Sequence, residues 1–299
     1  MISFKINYIC KYPEIYLFMQ QKWLFVITPK TKLIDFNFKE VWAYRDLLIL
    51  FVKRDVITVY KQTILGPLWY LIQPLFTSVI FTLVFNTIAK IDTGEIPPFL
   101  FNLAGVTTWN YFKECLTGTA DTFKKNQNIF GKVYFPRIIM PLSVVLSNLV
   151  KFGIQTGILL VFYMYYVSIG SVIRPSIYVA TFPIIVLCMA MLGLGLGMII
   201  SSMVTKYRDL SFLVSFGVQL LMYISLVSLP YNLFVINDLT WAVDYNPMAH
   251  IIELSRYVLL GEGTVSLFGV VYTLISSISV LFIGILVFNK TEKTFIDTI

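Results

Sequence analysis

Long stretches without charged residues recur along the chain. A helix needs about 20 consecutive apolar residues to cross a bilayer. Six stretches approach or exceed this length, and they are bounded by Lys61 and Lys90, Glu95 and Lys113, Arg137 and Arg174, Arg174 and Lys206, Asp209 and Asp238, and Glu262 and Lys290. The pattern therefore predicts an all-α polytopic membrane protein with six transmembrane helices within residues 64–289.

Two of these stretches depart from a simple span. The second continues past Lys113 and Glu114 to about Ala120, where both charged side chains can reach toward the interface or pair. The third contains Lys151 and is long for one helix. We therefore expect the start of the third stretch to lie along the membrane surface.

An amphipathic segment, residues 38–63, precedes the first span. Its apolar face, at helical spacing, comprises Val41, Tyr44, Leu48, Phe51, Val52, Val56 and Val59. A basic amphipathic helix beside a span is expected in the cytoplasmic interface, with its apolar face in the acyl boundary. Arg45 and Asp55 interrupt this face. They either reach toward the interface or pair, or they contact a partner or an anionic substrate group. The preceding residues 1–37 form an N-terminal extension of unassigned role.

The connection between the fifth and sixth spans, residues 230–263, is neither polar nor long enough for a separate domain. An apolar stretch, residues 231–236, is followed by Asn246 and Pro247 and then by a helical pattern over residues 250–260. Short apolar helices that return into the membrane are tolerated where they are buried in protein or line a cavity. The pattern predicts re-entrant extracytoplasmic helices here.

Glycines form small-residue faces on two predicted spans, with Gly153 and Gly157 in the third and Gly193, Gly195 and Gly197 in the fourth. Small residues let helices approach closely. We expect these faces to pack within the chain, and dimerisation is the alternative.

The basic residues predict the orientation. Ten of the 23 Lys and Arg residues precede Gln62, and five more lie from Lys113 to Arg137. Because positive charge concentrates on the cytoplasmic side, we expect both termini, including residues 290–299, in the cytoplasm. The chain is thus predicted to be a multi-pass protein of the inner (cytoplasmic) membrane.

The composition agrees with a membrane protein. Hydrophobic residues make up 58% and charged residues 13% of the chain, and the mean hydropathy is +0.79. Soluble domains are about 45–50% apolar and about 25% charged. The net charge of +7 lies beside the predicted spans, which indicates contact with lipid headgroups rather than nucleic acid. Cys10, Cys115 and Cys188 lack the spacing of a metal site or a disulfide framework.

Catalytic motifs are absent from the sequence. No phosphate-binding GxxxxGK[ST] occurs, so we do not expect this chain to hydrolyse ATP itself. His250, the only histidine, is expected to be a helix-start or interface residue. No closely spaced carboxylates mark a metal-dependent glycosyltransferase, and Lys151 is the only strong mid-membrane candidate for an ion-coupled transporter. We therefore expect a transport subunit, not an enzyme.

A basic amphipathic segment, residues 121–136, links the second and third spans. A helix there would expose Lys124, Lys125, Ile129 and Phe130. Such a helix either docks into a groove of a partner protein or lies solvated in the interface.

Three stretches of sequence are together specific. The segment YKQTILGPLW (60–69) is followed by Pro74, KVYFPR (132–137) is followed by PLS (141–143), and YNPM (245–248) is followed by Glu253 and Arg256. This combination resembles the membrane domain of type-two ABC exporters of polysaccharide, a family that includes the O-antigen, capsule and teichoic-acid exporters. The resemblance covers roughly Lys39 to the C-terminus.

The resemblance implies a homodimer of this chain joined to two copies of a separate ATPase, which binds ATP and Mg. The complex would move a lipid-linked glycan to the outer leaflet, and no cofactor is expected on this chain. The resemblance also implies roles by position. The gate for the pyrophosphate-lipid head would comprise Arg45, Asp55, Tyr60, Leu65 and Gly66, and coupling to the ATPase would involve Asp121, Lys124, Lys125, Ile129 and Phe130. The outer gate would comprise Tyr231, Asn246, Pro247 and His250.

Aromatic residues form 16% of the chain, and sugars stack on aromatic rings. Candidate glycan contacts are Trp69, Tyr70, Trp109, Tyr111, Phe112 and Tyr223. Belts at the membrane interface are the alternative for each of them. A permease of the same fold that exports a drug or small lipid, and a membrane-embedded glycan-modifying enzyme, remain the rival functions.

Overall fold

The computed structural model describes residues 38–61, 66–130, 135–171, 173, 176–207 and 209–295. All of them belong to one unit, Phe36–Ile299, and the predicted N-terminal extension lies outside the described residues. No strand occurs in this part of the chain. Its α-helices are α1 (Phe38–Ala43), α2 (Arg45–Lys61), α3 (Trp69–Phe81), α4 (Pro98–Ala120), α5 (Thr122–Phe130), α6 (Ile139–Ser168), α7 (Phe182–Lys206), α8 (Leu210–Ile224), α9 (Tyr231–Ile236), α10 (Thr240–Asp244), α11 (Pro247–Leu260) and α12 (Leu267–Phe295).

Among the described residues, four helical segments are long and apolar enough to cross a membrane: Trp69–Ile88, Ile139–Ser168, Ile177–Lys206 and Leu267–Thr291. They correspond to the first, third, fourth and sixth predicted spans. In the first, α3 continues as the π-helix Thr82–Ile88, and in the third, α6 is one continuous helix of 30 residues.

The second and fifth predicted spans have a different character. Helix α4 has 23 residues, but it carries polar side chains and is mostly buried within the protein. Helix α8 has 15 residues, which gives a length of about 22 Å at 1.5 Å per residue. That length is less than the roughly 30 Å of a bilayer's hydrocarbon core.

Helix α7 lies at the centre of the bundle and packs most extensively against α4 and α12. A Cβ atom on Gly197 would lie 2.5 Å from the Cβ atom of Thr119 in α4, and one on Gly284 in α12 would lie 2.5 Å from the carbonyl oxygen of Gly195. The predicted packing of the α7 glycines within the chain is confirmed. A Cβ atom on Gly153 or Gly157 would meet no atom within 4 Å, so the same prediction is wrong for α6.

The amphipathic segment is helical, as predicted, with a break at Tyr44 between α1 and α2. Its apolar face packs on the protein, because α2 contacts α6 and the buried ring of Phe51 lies 5.8 Å from the ring of Phe135. The expectation that this face lies in the acyl boundary is therefore corrected. The exposed apolar residues of α2 are instead Ile49 and Leu50.

The connection before α12 folds into the three short helices α9, α10 and α11. Helix α9 has the predicted bounds. Helix α11 begins at Pro247 rather than His250, because the side-chain oxygen of Asn246 accepts a hydrogen bond from the backbone N–H of Met248 and proline suits the first position of a helix. It ends at Leu260, where Gly261 takes a φ of 86°, and it packs against α4, α7 and α12.

Candidate functional site

A polar pocket of about 380 Å³ lies between α2, α4, α5 and α6, and we call it the α2–α6 pocket. Its charged side chains come from these helices and from the α4–α5 junction. They are Arg54, Asp55, Glu114, Asp121, Lys125 and Lys151. In a chain with 13% charged residues, six such groups around one pocket form an unusual concentration.

Three ion pairs neutralise these groups. The Nζ atom of Lys151 lies 2.8 Å from an oxygen of Glu114, and this pair joins α6 to α4. Arg54 is paired with Asp55 at 2.8 Å, and Lys125 with Asp121 at 3.1 Å. Of the two outcomes expected for Glu114, pairing is the one observed. The pocket thus holds three cations and three carboxylates, and its formal charge is zero.

Tyr70 connects this pocket to the start of α3. The Nζ atom of Lys151 lies 5.1 Å from the centre of the Tyr70 ring, and Gln155 donates a side-chain hydrogen bond to the Tyr70 carbonyl oxygen at 3.3 Å. Just before α3, Gly66 opens a short 3₁₀ turn with a φ of 50°, a conformation that favours glycine. The turn, α3 and the charged pocket are therefore neighbours.

Among the described substrate-gate residues, Arg45 and Asp55 do not lie together. Asp55 lines the pocket, whereas Arg45 is exposed and lies 3.9 Å from Asp46. Leu65 and the side chain of Tyr60 lie outside the described residues. Arg45 and Asp55 therefore pair with their sequence neighbours and not with each other.

The predicted coupling segment forms α5, directly after Asp121. Lys124 and Lys125 are exposed, and the side chains of Ile129 and Phe130 lie outside the described residues. The residue that anchors α5 was not predicted. Phe123 is buried, and its ring is stacked on Phe288 of α12 at 4.7 Å between centroids.

The six candidate aromatic residues fall into two groups. Trp109, Tyr111 and Phe112 of α4 are at most 3% exposed and belong to the core cluster. These three side chains pack helices together in this structure, which corrects the expectation that they face a glycan. Trp69 is 50% exposed, Tyr223 is 42% exposed, and Tyr70 is half-buried beside Lys151.

The predicted outer-gate residues lie together around Asp244. The hydroxyl of Tyr231 donates to the carboxylate of Asp244 at 3.1 Å, and the Nε2 atom of His250 donates to the Asp244 carbonyl oxygen at 2.9 Å. Burial and the neighbouring carboxylate of Asp244 raise the pKa of Tyr231. Asn246 and Pro247 begin α11. His250 is the fourth residue of α11 and therefore lies near the start of that helix.

A buried ion pair lies deeper in α11. The guanidinium of Arg256 is 1% exposed, donates to Glu253 at 2.9 Å and lies 3.5 Å from the centre of the Phe101 ring in α4. Thr117, which lines the α2–α6 pocket, lies about 24 Å from Phe101 along the axis of α4. The two polar sites therefore lie near opposite ends of one helix. Among the described residues, no group of three or more His, Cys, Asp or Glu side chains could hold a metal ion.

Comparison with known proteins decides the family. The model of the ABC-2 type transporter family matches residues 46–260, which include both polar sites. The chain belongs to the ABC-2 type transporter family. It is therefore a membrane transport subunit.

Named relatives cover most of this ABC-2 chain. It is 27% identical to an O-antigen export system permease protein RfbA of Klebsiella pneumoniae, over 84% of this chain and 94% of the relative. A second protein of that name from the same organism matches at 27% over 84% of this chain. An O-antigen export system permease protein RfbA of Myxococcus xanthus is 30% identical over 59% of this chain and 65% of the relative.

Several groups in the two sites of this ABC-2 transporter could not be found from the sequence. The signal for Phe123 was its place on the apolar side of an otherwise basic segment. Two partners carried no local signal, because Glu114 lies 37 positions from Lys151 and Phe101 lies 155 positions from Arg256 in the chain.

Proposed function

We propose that this chain is the membrane-spanning subunit of an ABC exporter that moves a lipid-linked polysaccharide of the O-antigen, capsule or teichoic-acid type across the cytoplasmic membrane. Two copies of the chain would pair with two copies of an ATPase that binds ATP and Mg. The family and the names of the relatives support this proposal. A single ABC-2 chain supplies one half of such a transport pathway.

In this proposal α4 and α8 complete a set of six spans. A polar helix such as α4 is tolerated at membrane depth because protein, not lipid, covers most of it. The short α8 continues into a buried non-helical linker, which can extend its reach. Six spans place both termini on the cytoplasmic side, together with α2, α5 and the α2–α6 pocket.

The observation that carries the proposal is the α2–α6 pocket. A lipid-linked polysaccharide has an anionic phosphate-containing head between its lipid and its glycan. Arg54, Lys125 and Lys151 can bind phosphate oxygens, and Arg in particular can do so with two parallel hydrogen bonds. Their present carboxylate partners hold the cations in place until the head replaces those partners.

The coupling role rests on α5. Its exposed Lys124 and Lys125 face away from the core, while Phe123 holds the helix on α12. A push by the ATPase on α5 would therefore reach α12 through Phe123 and reach α4 through the junction at Asp121. Both helices pack on α7.

Reconstitution tests the function. The chain is placed in proteoliposomes with its partner ATPase and a lipid-linked polysaccharide, and glycan that becomes accessible on the opposite leaflet is measured with and without ATP. We expect ATP-dependent translocation. ATP hydrolysis without translocation of any glycan-bearing lipid would refute the proposal. Translocation of the lipid or a drug alone would favour the small-cargo alternative.

The pocket is tested by Lys151→Met, with Lys53→Met, an exposed residue of α2, as the control. We expect the apparent KM for the lipid-linked substrate to rise about tenfold in the first variant, because one charge-assisted hydrogen bond to phosphate is lost. The control should keep the wild-type KM. An unchanged KM in Lys151→Met would show that the head binds elsewhere.

A further inference from the structure

A buried non-helical linker, residues 225–228, joins α8 to α9. Each of its four residues is 4% exposed or less. Irregular backbone without access to water needs other partners for its polar groups. Leu226 in this linker has a φ of 59°, a strained value for a residue other than glycine, so surrounding contacts must hold the linker in place.

Side chains from α4 and α11 supply those contacts. Ser228 donates to the side-chain oxygen of Asn102 in α4 at 2.6 Å. Asn246, at the start of α11, donates to the hydroxyl of Ser225 at 2.9 Å. Arg256 of α11 donates from Nη2 to the carbonyl oxygen of Val227 at 2.7 Å. Three hydrogen bonds thus hold the linker, at Ser225, Val227 and Ser228.

Arg256 is the central tie. One arm of its guanidinium binds Val227, the other binds Glu253, and the flat face covers the ring of Phe101. Glu253 in turn accepts from the backbone N–H of Thr264, just before α12, at 3.0 Å. A planar guanidinium can make these three contacts together, whereas an ammonium lacks both the fork and the flat face. Arg256 therefore joins α4, α11, the linker and the start of α12.

A cavity of about 680 Å³ adjoins this pair and is lined by Arg256, Glu253 and Tyr231, among others. The Nε atom of Arg256 is buried and has no hydrogen-bond partner among the described residues. A buried donor without a partner is costly. The guanidinium is therefore held by its two Nη arms and by the contact with Phe101.

We infer that Arg256 is the positioning residue of the outer gate: its guanidinium fastens the 225–228 linker to α4 and keeps the outer end of the pathway closed until α4 moves. This inference rests on the proposed export function. Helix α4 ends at the junction with α5, so the helix that contacts the linker also receives the push at the opposite face of the membrane. Export would require the Arg256–Val227 contact to break in each cycle.

The test measures closure without transport. The purified chain in complex with its ATPase is placed in proteoliposomes that contain a pH-sensitive dye, and proton leak is followed in the absence of ATP and substrate. The variants are Arg256→Lys, which keeps the charge beside Glu253, and Ser228→Ala, which removes one hydroxyl. Lys90→Gln, which removes an exposed charge near the same cavity, is the control.

We expect the leak to rise about tenfold in Arg256→Lys, which corresponds to the loss of one charge-assisted hydrogen bond, and a few-fold in Ser228→Ala. The export of glycan per ATP hydrolysed should fall in both variants, and Lys90→Gln should match the wild type. The inference would be overturned if the proton leak of both Arg256→Lys and Ser228→Ala were as low as that of the control. If Arg256→Lys does not accumulate, Ser228→Ala alone decides.

The leak assay separates this inference from the proposed function. If the variants leak as expected but the wild-type complex moves no polysaccharide, the gate assignment stands and the export proposal fails. If the wild type exports and the variants stay tight, only the role of Arg256 fails.

Discussion

The substitution Gly105→Ala tests the tight contact between α4 and the 225–228 linker. A Cβ atom at this position would lie 2.1 Å from the Val227 carbonyl oxygen and 2.7 Å from Nη2 of Arg256. Real Cβ atoms do not approach backbone closer than 3.0 Å, so the linker would have to move by about 0.9 Å. That shift would lengthen the hydrogen bond between Arg256 and Val227 from 2.7 Å to as much as about 3.6 Å, which is beyond hydrogen-bonding distance.

The magnitude follows from two effects. A hydrogen bond to a charged group contributes roughly 1.5–3 kcal/mol, and overpacking a closed site costs roughly 1–3 kcal/mol. Alanine is more favourable than glycine inside a helix by up to about 1 kcal/mol, which offsets part of this cost. We therefore expect Gly105→Ala to lower the free energy of unfolding by about 2–5 kcal/mol.

The melting temperature of the purified transporter in detergent measures this effect. The matched control is Gly157→Ala on α6, where a new Cβ atom would meet nothing within 4 Å. The control should melt at or slightly above the wild-type temperature, and Gly105→Ala should melt several degrees lower. A Gly105→Ala protein that melts as high as the control would refute the tight α4–linker contact.

Further substitutions probe three other parts of the structure. Lys151→Met should lower the free energy of unfolding by about 1–3 kcal/mol because it leaves Glu114 unpaired. The double variant Lys151→Met with Glu114→Gln should recover part of this loss. Melting-temperature shifts of the single variants that simply add in the double variant would contradict the ion pair. Phe123→Ala should cost about 3–5 kcal/mol and reduce export per ATP hydrolysed at matched abundance, and unchanged coupling would show that α5 acts through another contact. Trp69→Ala should leave the melting temperature nearly unchanged but slow glycan export, because Trp69 is half exposed. Trp109→Ala should lower the free energy of unfolding by about 3–5 kcal/mol, because Trp109 is buried. Equal melting temperatures of the two variants would contradict this difference in burial.

The run length of apolar residues predicted the four helical segments that are long and apolar enough to cross a membrane. Helices α3, α6, α7 and α12 lie where uncharged stretches were long, and α9 has the predicted bounds. Helix α4 shows the limit of this signal. An uncharged stretch predicted a span here, but the helix carries polar side chains, is mostly buried within the protein and is not among the four apolar segments.

The facing direction of side chains could not be predicted from the sequence. Trp69 and Trp109 have the same chemistry and both lie on helices, yet one is half exposed and the other is in the core. The apolar face of α2 is equally suited to lipid and to protein, and the structure uses it for protein. Periodicity shows that a helix has an apolar face, but only the tertiary packing shows what covers that face.

The polar ties also depend on long-range packing. Asn102 is an ordinary polar residue in the sequence, but in the structure it holds Ser228 and donates to Asn86 in the π-helical end of α3 at 2.8 Å. No local pattern predicts a bond across 126 positions. The gate could therefore be assigned to a segment from the resemblance, whereas its fastening residues required the fold.

The glycines of α7 have a mechanical consequence. Gly193 and Gly197 bring α7 against α4, and Gly195 brings it against α12 on the other side, with backbone nearly touching backbone at Gly284. Close-packed interfaces of this kind shift as whole bodies and do not deform smoothly. Helices α4, α7 and α12 should thus move together as one rigid body. Helix α8 has few contacts with them, so we expect it to move relative to that body.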